Sequence, residues 1–519
     1  MKATEQAKLT SEKRKSIRET LRQHGTNELV IGLCGKAGSI TGWLLEMLKE
    51  EFSVYSYDVH TIKVSNFIKD SLKANDKAVP SSEFEKTKAL QDEGDEIRKN
   101  NANDMLAAFA VNEINQHRIL SQAQRKYTGR IVYIIDSIKH PAETLLLKAT
   151  YGMSYYLLGV VATQQQRKNE LVNKKQLSKI DADTIINRDE KGEDENGQQV
   201  AGSLHHADFF VRSVNEEQTR LRENIARYLQ LIFGRLTSSP TLDEYAMFIA
   251  YATGLRSGCM SRQVGAAIVS EEHEIIATGR NDVPIVGGGL AKEEDSGAAT
   301  RCMNLPECMC SNDENRLKLL GAVEDTLKKL NIPSESTKKI MNEFKNSRQF
   351  KGIVEFSRAI HAEMDAIVSA ARTSQIGLKN STLYCTTYPC HNCARHIVAA
   401  GVKKVVYIEP YDKSFASTLH SDALSSEDEG IPRSGKRVVL MEPFIGVSPK
   451  QYILLFRAGK RKSNGRHVSF APKAAKPMHM ESSDSISARE QLVISCANQN
   501  PIWDAVWSSR QVQAGEGAE

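Results

Sequence analysis

One histidine, one glutamate and two cysteines stand at spacings that can build a catalytic metal centre: His361-Ala362-Glu363, then Pro389-Cys390-His391-Asn392-Cys393. One imidazole and two thiolates supply three of the four ligands of a tetrahedral zinc, and three protein ligands leave the fourth position for water. Zinc lowers the pKa of such a water from about 15.7 to about 7, which makes hydroxide available at neutral pH. Glu363 is not needed as a ligand and is free to take the water proton and pass it on. A closed zinc knuckle with a fourth ligand elsewhere, or a core histidine beside two buried thiols, is the structural alternative. Neither has a use for Glu363.

The elements that must carry these residues are legible nearby. Ile360, Met364 and Ile367 recur at about one helical turn, which predicts a helix with a buried apolar face and puts His361 and Glu363 near its start. Pro389 precedes a helical run, Cys393–Ala400, that stops at Gly401. Cys390 and Cys393 therefore lie three apart around a helix N-terminus, where the dipole favours thiolates. Upstream, Tyr245–Leu255 reads as an apolar-periodic helix and Val264–Val269 as a strand.

The order H-x-E and then P-C-x-x-C is the signature of zinc nucleobase deaminases, and the segment 243–456 resembles a deoxycytidylate (dCMP) deaminase of the cytidine deaminase superfamily. The resemblance runs through Arg256–Ala266, Thr278-Gly279-Arg280-Asn281, HAEMDAI at 361–367, YCTTYPCHNCA at 384–394 and Lys404–Lys413. It implies a cytidine deaminase-like α/β/α sandwich and zinc held by His361, Cys390 and Cys393. Glu363 would then protonate the pyrimidine ring nitrogen and the departing ammonia, with a deoxycytidine nucleotide as substrate. By the same resemblance Asn281 positions sugar or base, and Arg256 and the serines around 256–262 lie near the nucleotide. Tyr411 and Lys413 fall at its phosphate end. Tyr388 either shapes the base pocket or simply packs.

About eighty residues separate Asn281 from His361, more than the compact family pattern has. They include Gly287-Gly288-Gly289, which reads as a flexible pocket rim, and Cys302, Cys308 and Cys310, with Cys259 just upstream. Four thiols can close a second, structural zinc site. Reduced free thiols are the alternative.

The first half of the chain reads differently. An apolar run, Leu29–Leu33, leads into the Gly-rich turn GLCGKAGSITG and then a helical pattern from Trp43, the order that a phosphate-cradling loop requires. A second buried-type strand, Arg130–Ile135, ends at Asp136, where a Walker B-type acid sits in nucleotide-binding α/β domains. This half is similar to P-loop nucleotide and nucleoside kinases, a parallel-sheet P-loop NTPase-like fold, through Gly32, Gly35, Gly38 and Ser39. In G-x-x-x-x-G-K-[ST] the lysine contacts the phosphates. Counting from Gly32 puts Gly38 at that position, and counting from Gly35 puts Thr41 there. Backbone amides can still bind phosphate, with Lys36 nearby. A regulatory nucleotide site and a degenerate structural domain both remain open.

The expected organisation is a charged lead over 1–25, a P-loop kinase-like domain over 26–238, a dCMP deaminase-like domain over 241–459, and a weakly ordered tail over 460–519. Arg188–Val200 is expected to be an exposed acidic loop. A P-loop domain ahead of a dCMP-deaminase-like domain resembles bacterial anti-phage deoxycytidylate deaminases. That implies depletion of the deoxycytidine nucleotide pool (dCTP and dCMP), restraint by a partner small RNA or by nucleotides, and a homo-oligomer.

Composition bounds these readings. The 519 residues allow about two to four domains. A net charge of +5 is small against 69 basic and 64 acidic side chains and gives no reason to expect a duplex nucleic-acid binder. A polynucleotide editor with the same zinc chemistry would need a basic, aromatic-bearing groove, and a nucleotide-sensing regulator would have little need for an intact Glu363. No run approaches the eighteen or so apolar residues of a membrane span, and the opening residues lack the apolar core of a secretory signal. Nine cysteines, two of them in a Cys-x-x-Cys, fit a reducing, cytoplasmic setting.

Overall fold

Apolar runs bounded by turns become the strands of two sheets, one in each of two units: residues 1–238 with 455–519, and residues 239–454. The computed structural model describes residues 24–190, 197–213, 218–294, 301–410, 414–426, 437–457, 459 and 461–507. Most of the charged lead, and 191–196 of the acidic stretch, lie outside the described residues. The helices Lys179–Glu190 and Val200–Leu204 flank that stretch.

In the first unit β1 (Leu29–Gly35), β2 (Asp58–Lys63), β3 (Ile131–Ile138), β4 (Tyr155–Val161) and β5 (Phe209–Arg212) lie in the order β5-β4-β1-β3-β2 with every pairing parallel. β1 and β4 are buried along their whole length, the pattern of strands covered on both faces. From β1 the chain crosses to β2 on one side, and from β3 it crosses to β4 on the other. The winding therefore reverses beside the carboxyl end of β1, where α1 (Gly42–Val54) begins.

The C-terminal residues, expected to form a weakly ordered tail, instead return to this unit. The helix Ser483–Ala497 packs on α2 (Met105–Ala123). Glu490, 0% exposed, accepts from Arg118 Nη2 at 3.0 Å and from Nη1, and Asn115 Nδ2 donates to it at 3.3 Å. Arg118 Nε also donates to Glu28 at 2.9 Å, and Trp503 stacks on Phe109 with ring centres 5.0 Å apart. Few apolar positions bury this helix, and its central contact is an ion pair, so its sequence reads as polar and loose. Glu490→Ala is expected to lower stability by about 3 kcal/mol, the lower end for breaking a buried pair because Glu28 still faces Arg118. The midpoint of denaturant unfolding checks it.

The second unit is a three-layer arrangement. Its sheet runs β10 (Leu424–Ser426), β11 (Val439–Pro443), β9 (Lys404–Glu409), β8 (Thr382–Thr387), β6 (Gly265–Val269), β7 (Ile275–Arg280). β6 pairs antiparallel with β7 and β8, and the remaining pairings are parallel. α3 (Leu242–Gly254), started by a Thr241–Glu244 capping box, lies on one face. A Cβ on Gly265 would collide with the Ala250 carbonyl of α3, so only glycine allows that approach. The opposite face carries two helices, α6 (Ala362–Thr373) and α7 (His391–Ala399). Between β7 and α6 the insertion holds α4 (Ser311–Lys329) and α5 (Ser334–Asn346), and α4 has no buried residue. Among the described residues no helix is long and apolar enough to cross a membrane.

Candidate active site

Two helix starts bring the chemistry together. His361 is the N-cap of α6 and Cys390 the N-cap of α7, both in extended backbone. His361 Nδ1 lies 3.3 Å from Cys390 Sγ and 3.4 Å from Cys393 Sγ. The three ligand atoms fall within 4.8 Å of one another and form the one such group among the described residues. An imidazole and two sulfurs converging on one point are a borderline-soft donor set that suits zinc and leaves a coordination position open.

The electrostatics fit that use. The Cys390 thiol is drawn down to about 4, first by its hydrogen bond with Cys393 and then by the His361 imidazole. The same bond, with burial, pushes the Cys393 thiol up, so the pair shares its proton unequally until a metal cation favours both thiolates. His361 is raised to about 9 by its hydrogen bond to Cys390. Glu363 is 4% exposed, and burial lifts its carboxyl above the usual range, against the pull of His361. It is a buried acid beside His361 and the two sulfurs.

The face of α6 that meets the sheet differs from the expected stripe. Ile360, Met364 and Ile367 are only partly buried, while Ala362, Ala366 and Ala370 are fully buried. A Cβ on Gly279 would collide with the Ala362 carbonyl and the Ala366 amide, so helix and strand touch through backbone. Large side chains have no room there. Gly279→Ala is expected to push α6 outward, costing about 1–3 kcal/mol and lowering zinc retention. Thermal unfolding and metal content check both.

Other expected site residues are placed as follows. Asn281 Nδ2 donates to the Arg262 carbonyl and its Oδ1 accepts from Val264 N, each at 2.7 Å, so the carboxamide pins the 262–264 turn. Arg256 is exposed on the same loop. Tyr388 is half-buried and packs edge-on against Tyr407, with ring centres 4.8 Å apart. Tyr411 and Lys413 lie outside the described residues. Cys259, Cys302, Cys308 and Cys310 are not gathered at ligand distances. Cys302 Sγ lies 3.8 Å from Ser311 Oγ and Cys310 Sγ 3.9 Å from Ser261 Oγ, while Cys308 is exposed. The all-cysteine zinc site does not form among the described residues.

In the first unit Gly35 ends β1, Lys36, Gly38 and Ser39 lie in the turn that follows, and Asp136 sits across from Leu33 on β3. Gly38 has φ +81°, and a Cβ there would meet the Arg167 carbonyl at 2.6 Å. The Ser39 hydroxyl donates to the Lys36 carbonyl at 2.7 Å, and Lys139 Nζ donates to the Gly35 carbonyl at 2.7 Å. Burial raises Asp136, opposed by Lys139, Lys63 and Lys175. Gly32 is not in this turn. It sits inside β1, where its missing side chain makes room for the Tyr155 hydroxyl.

Sequence reasoning missed two acids. Asp365, on the turn of α6 after Glu363, accepts from the Arg280 amide at 3.0 Å. Asp282, beside Asn281, is 1% exposed and held by Arg301. An acid next to each recognised motif was the available signal.

Residues 240–409 match the family model described as the cytidine and deoxycytidylate deaminase zinc-binding region. The deoxycytidylate deaminase of Mycobacterium phage D29 is 31% identical over 170 residues, 33% of this chain and 96% of that protein. That of Enterobacteria phage T4 is 31% identical over 176 residues, 32% of this chain and 77% of the relative. The deoxycytidylate deaminase of Saccharomyces cerevisiae (strain ATCC 204508 / S288c) is 25% identical over 312 residues, 57% of this chain and 80% of the relative. All three metal ligands and Glu363 fall inside the span of the family model. On these grounds the chain belongs to the deoxycytidylate deaminase family and is a zinc-dependent enzyme.

Proposed function

We propose that the second unit hydrolyses the exocyclic amine of deoxycytidine nucleotides, dCMP or dCTP, giving the deoxyuridine nucleotide and ammonia. The observation that carries this reading is Glu363, buried beside an imidazole and two sulfurs converging on one point. Zinc, when held by His361, Cys390 and Cys393, supplies a water activated for attack at neutral pH. Glu363 takes a proton from the attacking water, delivers one to the pyrimidine ring nitrogen, and helps protonate the amine as the carbon–nitrogen bond breaks. Burial suits it to this, because it raises the carboxyl above the ordinary carboxylate range and so eases its taking up a proton that it must later return. Asn281, Arg256, Tyr388 and Tyr411 are assigned to the nucleotide pocket on this reading, Asn281 by fixing the turn beside it and Arg256 by offering a cation to phosphate.

The test is ammonia release and product identity with dCMP, dCTP, CMP and single-stranded DNA, with Glu363→Ala as control. Turnover of free deoxynucleotides that the control lacks is expected. Turnover of DNA but of no free nucleotide would replace this reading with a polynucleotide deaminase.

For the first unit the reading is a P-loop-like regulatory domain that binds a nucleotide phosphate without transferring it. The winding reversal beside β1, the tight Gly38 turn before α1, and Lys36 with Lys139 support it. Equilibrium dialysis with nucleoside triphosphates, against Lys139→Ala, tests it. By the resemblance to anti-phage enzymes the whole chain is a cytoplasmic homo-oligomer that drains deoxycytidine nucleotides during infection. It would be held back by nucleotide or a small RNA until then. Deoxynucleotide pools in infected cells, with and without the Glu363→Ala variant, test that role.

A further inference from the structure

The strand end at Arg280-Asn281-Asp282 ties several parts of the second unit together. The Asp282 carbonyl accepts from the amide of Ile360, the residue before the ligand His361, at 3.0 Å. The Arg280 amide binds Asp365 on α6. These two links hold the metal-ligating helix through backbone groups of the strand end.

The loop between α3 and β6 is held by a different set of bonds. The Asp282 carboxylate accepts from Gly258 N at 3.2 Å, from Val283 N at 2.9 Å, and from Arg301 through Nη2 at 2.9 Å and Nε at 3.3 Å. Arg301 belongs to the insertion and is 8% exposed. It is braced there by Glu293 at 2.9 Å and the Ala291 carbonyl at 3.2 Å. Its guanidinium lies so close under Gly258 that a Cβ on that residue would meet Nε at 2.5 Å. The adjoining Ser257 hydroxyl donates to the Asn281 carbonyl. The loop therefore rests on a buried arginine from a segment that the compact family pattern lacks, and it presents Arg256, Ser261 and Arg262 outward.

We propose that Arg301 is a positioning residue which, through Asp282 and Gly258, fixes the 256–262 loop for the phosphate end of the nucleotide. The insertion thereby acts on substrate binding and not on the chemical step. A bidentate guanidinium–carboxylate pair sets both distance and angle, which a single-point contact does not. Without it the loop loses its floor, whereas α6 keeps its ties through Asp365 and Ile360. The inference rests on the nucleotide reading above.

Steady-state kinetics of the full chain with dCMP and with deoxycytidine, which lacks the phosphate, provide the test. Arg301→Gln is expected to raise KM for dCMP at least tenfold, with kcat and zinc content within twofold of the parent and KM for deoxycytidine within threefold. Arg301→Lys, which keeps the charge but offers one point of contact, should recover part of the loss, and it carries the same test if the glutamine variant does not fold. An equal KM rise for nucleoside and nucleotide, a fall in kcat at unchanged KM, or no change at all would overturn the proposal. If the parent enzyme turns over a different nucleotide, the nucleotide reading fails, and the same comparison with that nucleotide and its nucleoside still decides the role of Arg301.

Discussion

Glu363→Gln is expected to reduce kcat by about 10³- to 10⁴-fold, near the upper range for loss of a positioned acid–base group, while zinc stays bound. The substitution keeps shape and hydrogen-bonding capacity but removes the exchangeable proton. The buried site offers no evident substitute: the ligands His361, Cys390 and Cys393 are committed to the metal, and Asp365 is occupied by the Arg280 amide. Ammonia release measured beside metal content separates this outcome from collapse of the centre. Full metal with turnover near that of the parent would show that Glu363 does not move the proton.

Cys390→Ser attacks the other half of the chemistry. Cys390 is the sulfur that its neighbours hold as thiolate, and a serine hydroxyl at the same place stays protonated and binds a borderline-soft metal poorly. The purified variant is expected to carry less than about a tenth of the parent's zinc and to lose turnover by about 10³-fold or more, as expected when a Lewis acid worth several kcal/mol is removed. Dialysis against a chelator should abolish the parent's activity, and added zinc should restore the parent but not the variant. Metal retention should weaken as pH falls, because the ligands must shed protons to bind. Unchanged turnover with Cys390→Ser would sink the metal assignment.

The gathering of His361, Cys390 and Cys393 and the place of Glu363 near them are legible in the sequence because each lies within a few residues of a helix start, where short-range spacing carries the geometry. The strand β6 and the helix α3 before it are legible from apolar periodicity for the same reason. What sets the neighbourhood of the centre is not. Arg301 reaches Asp282 from the far side of the glycine run in the insertion, and no local pattern links a buried arginine to a carboxylate across that distance. The packing of α6 is legible only in part: Met364 and Ile367 pack against the core as their spacing suggests, whereas the closest approach, Gly279 against the backbone of Ala362 and Ala366, leaves no apolar stripe to mark it. In the first unit Gly38 marks the turn after β1, whereas Gly32 reads as part of that turn and serves strand packing instead. Of the C-terminal helix only the short apolar stretch Gln491–Ser495 stands out in the sequence, and its docking does not, because its deepest residue is a glutamate whose partner, Arg118, lies far up the chain.

That last helix has a consequence for biogenesis. Protein chains emerge from the ribosome N-terminus first, and domains generally fold as units as they appear. Arg118 and Phe109 are translated early, but Glu490 and Trp503 arrive only after the entire deaminase unit has been made. The enzyme half can therefore mature while the half ahead of it still waits for its closing piece. A premature stop beyond the deaminase segment would leave a catalytic body attached to an unfinished one.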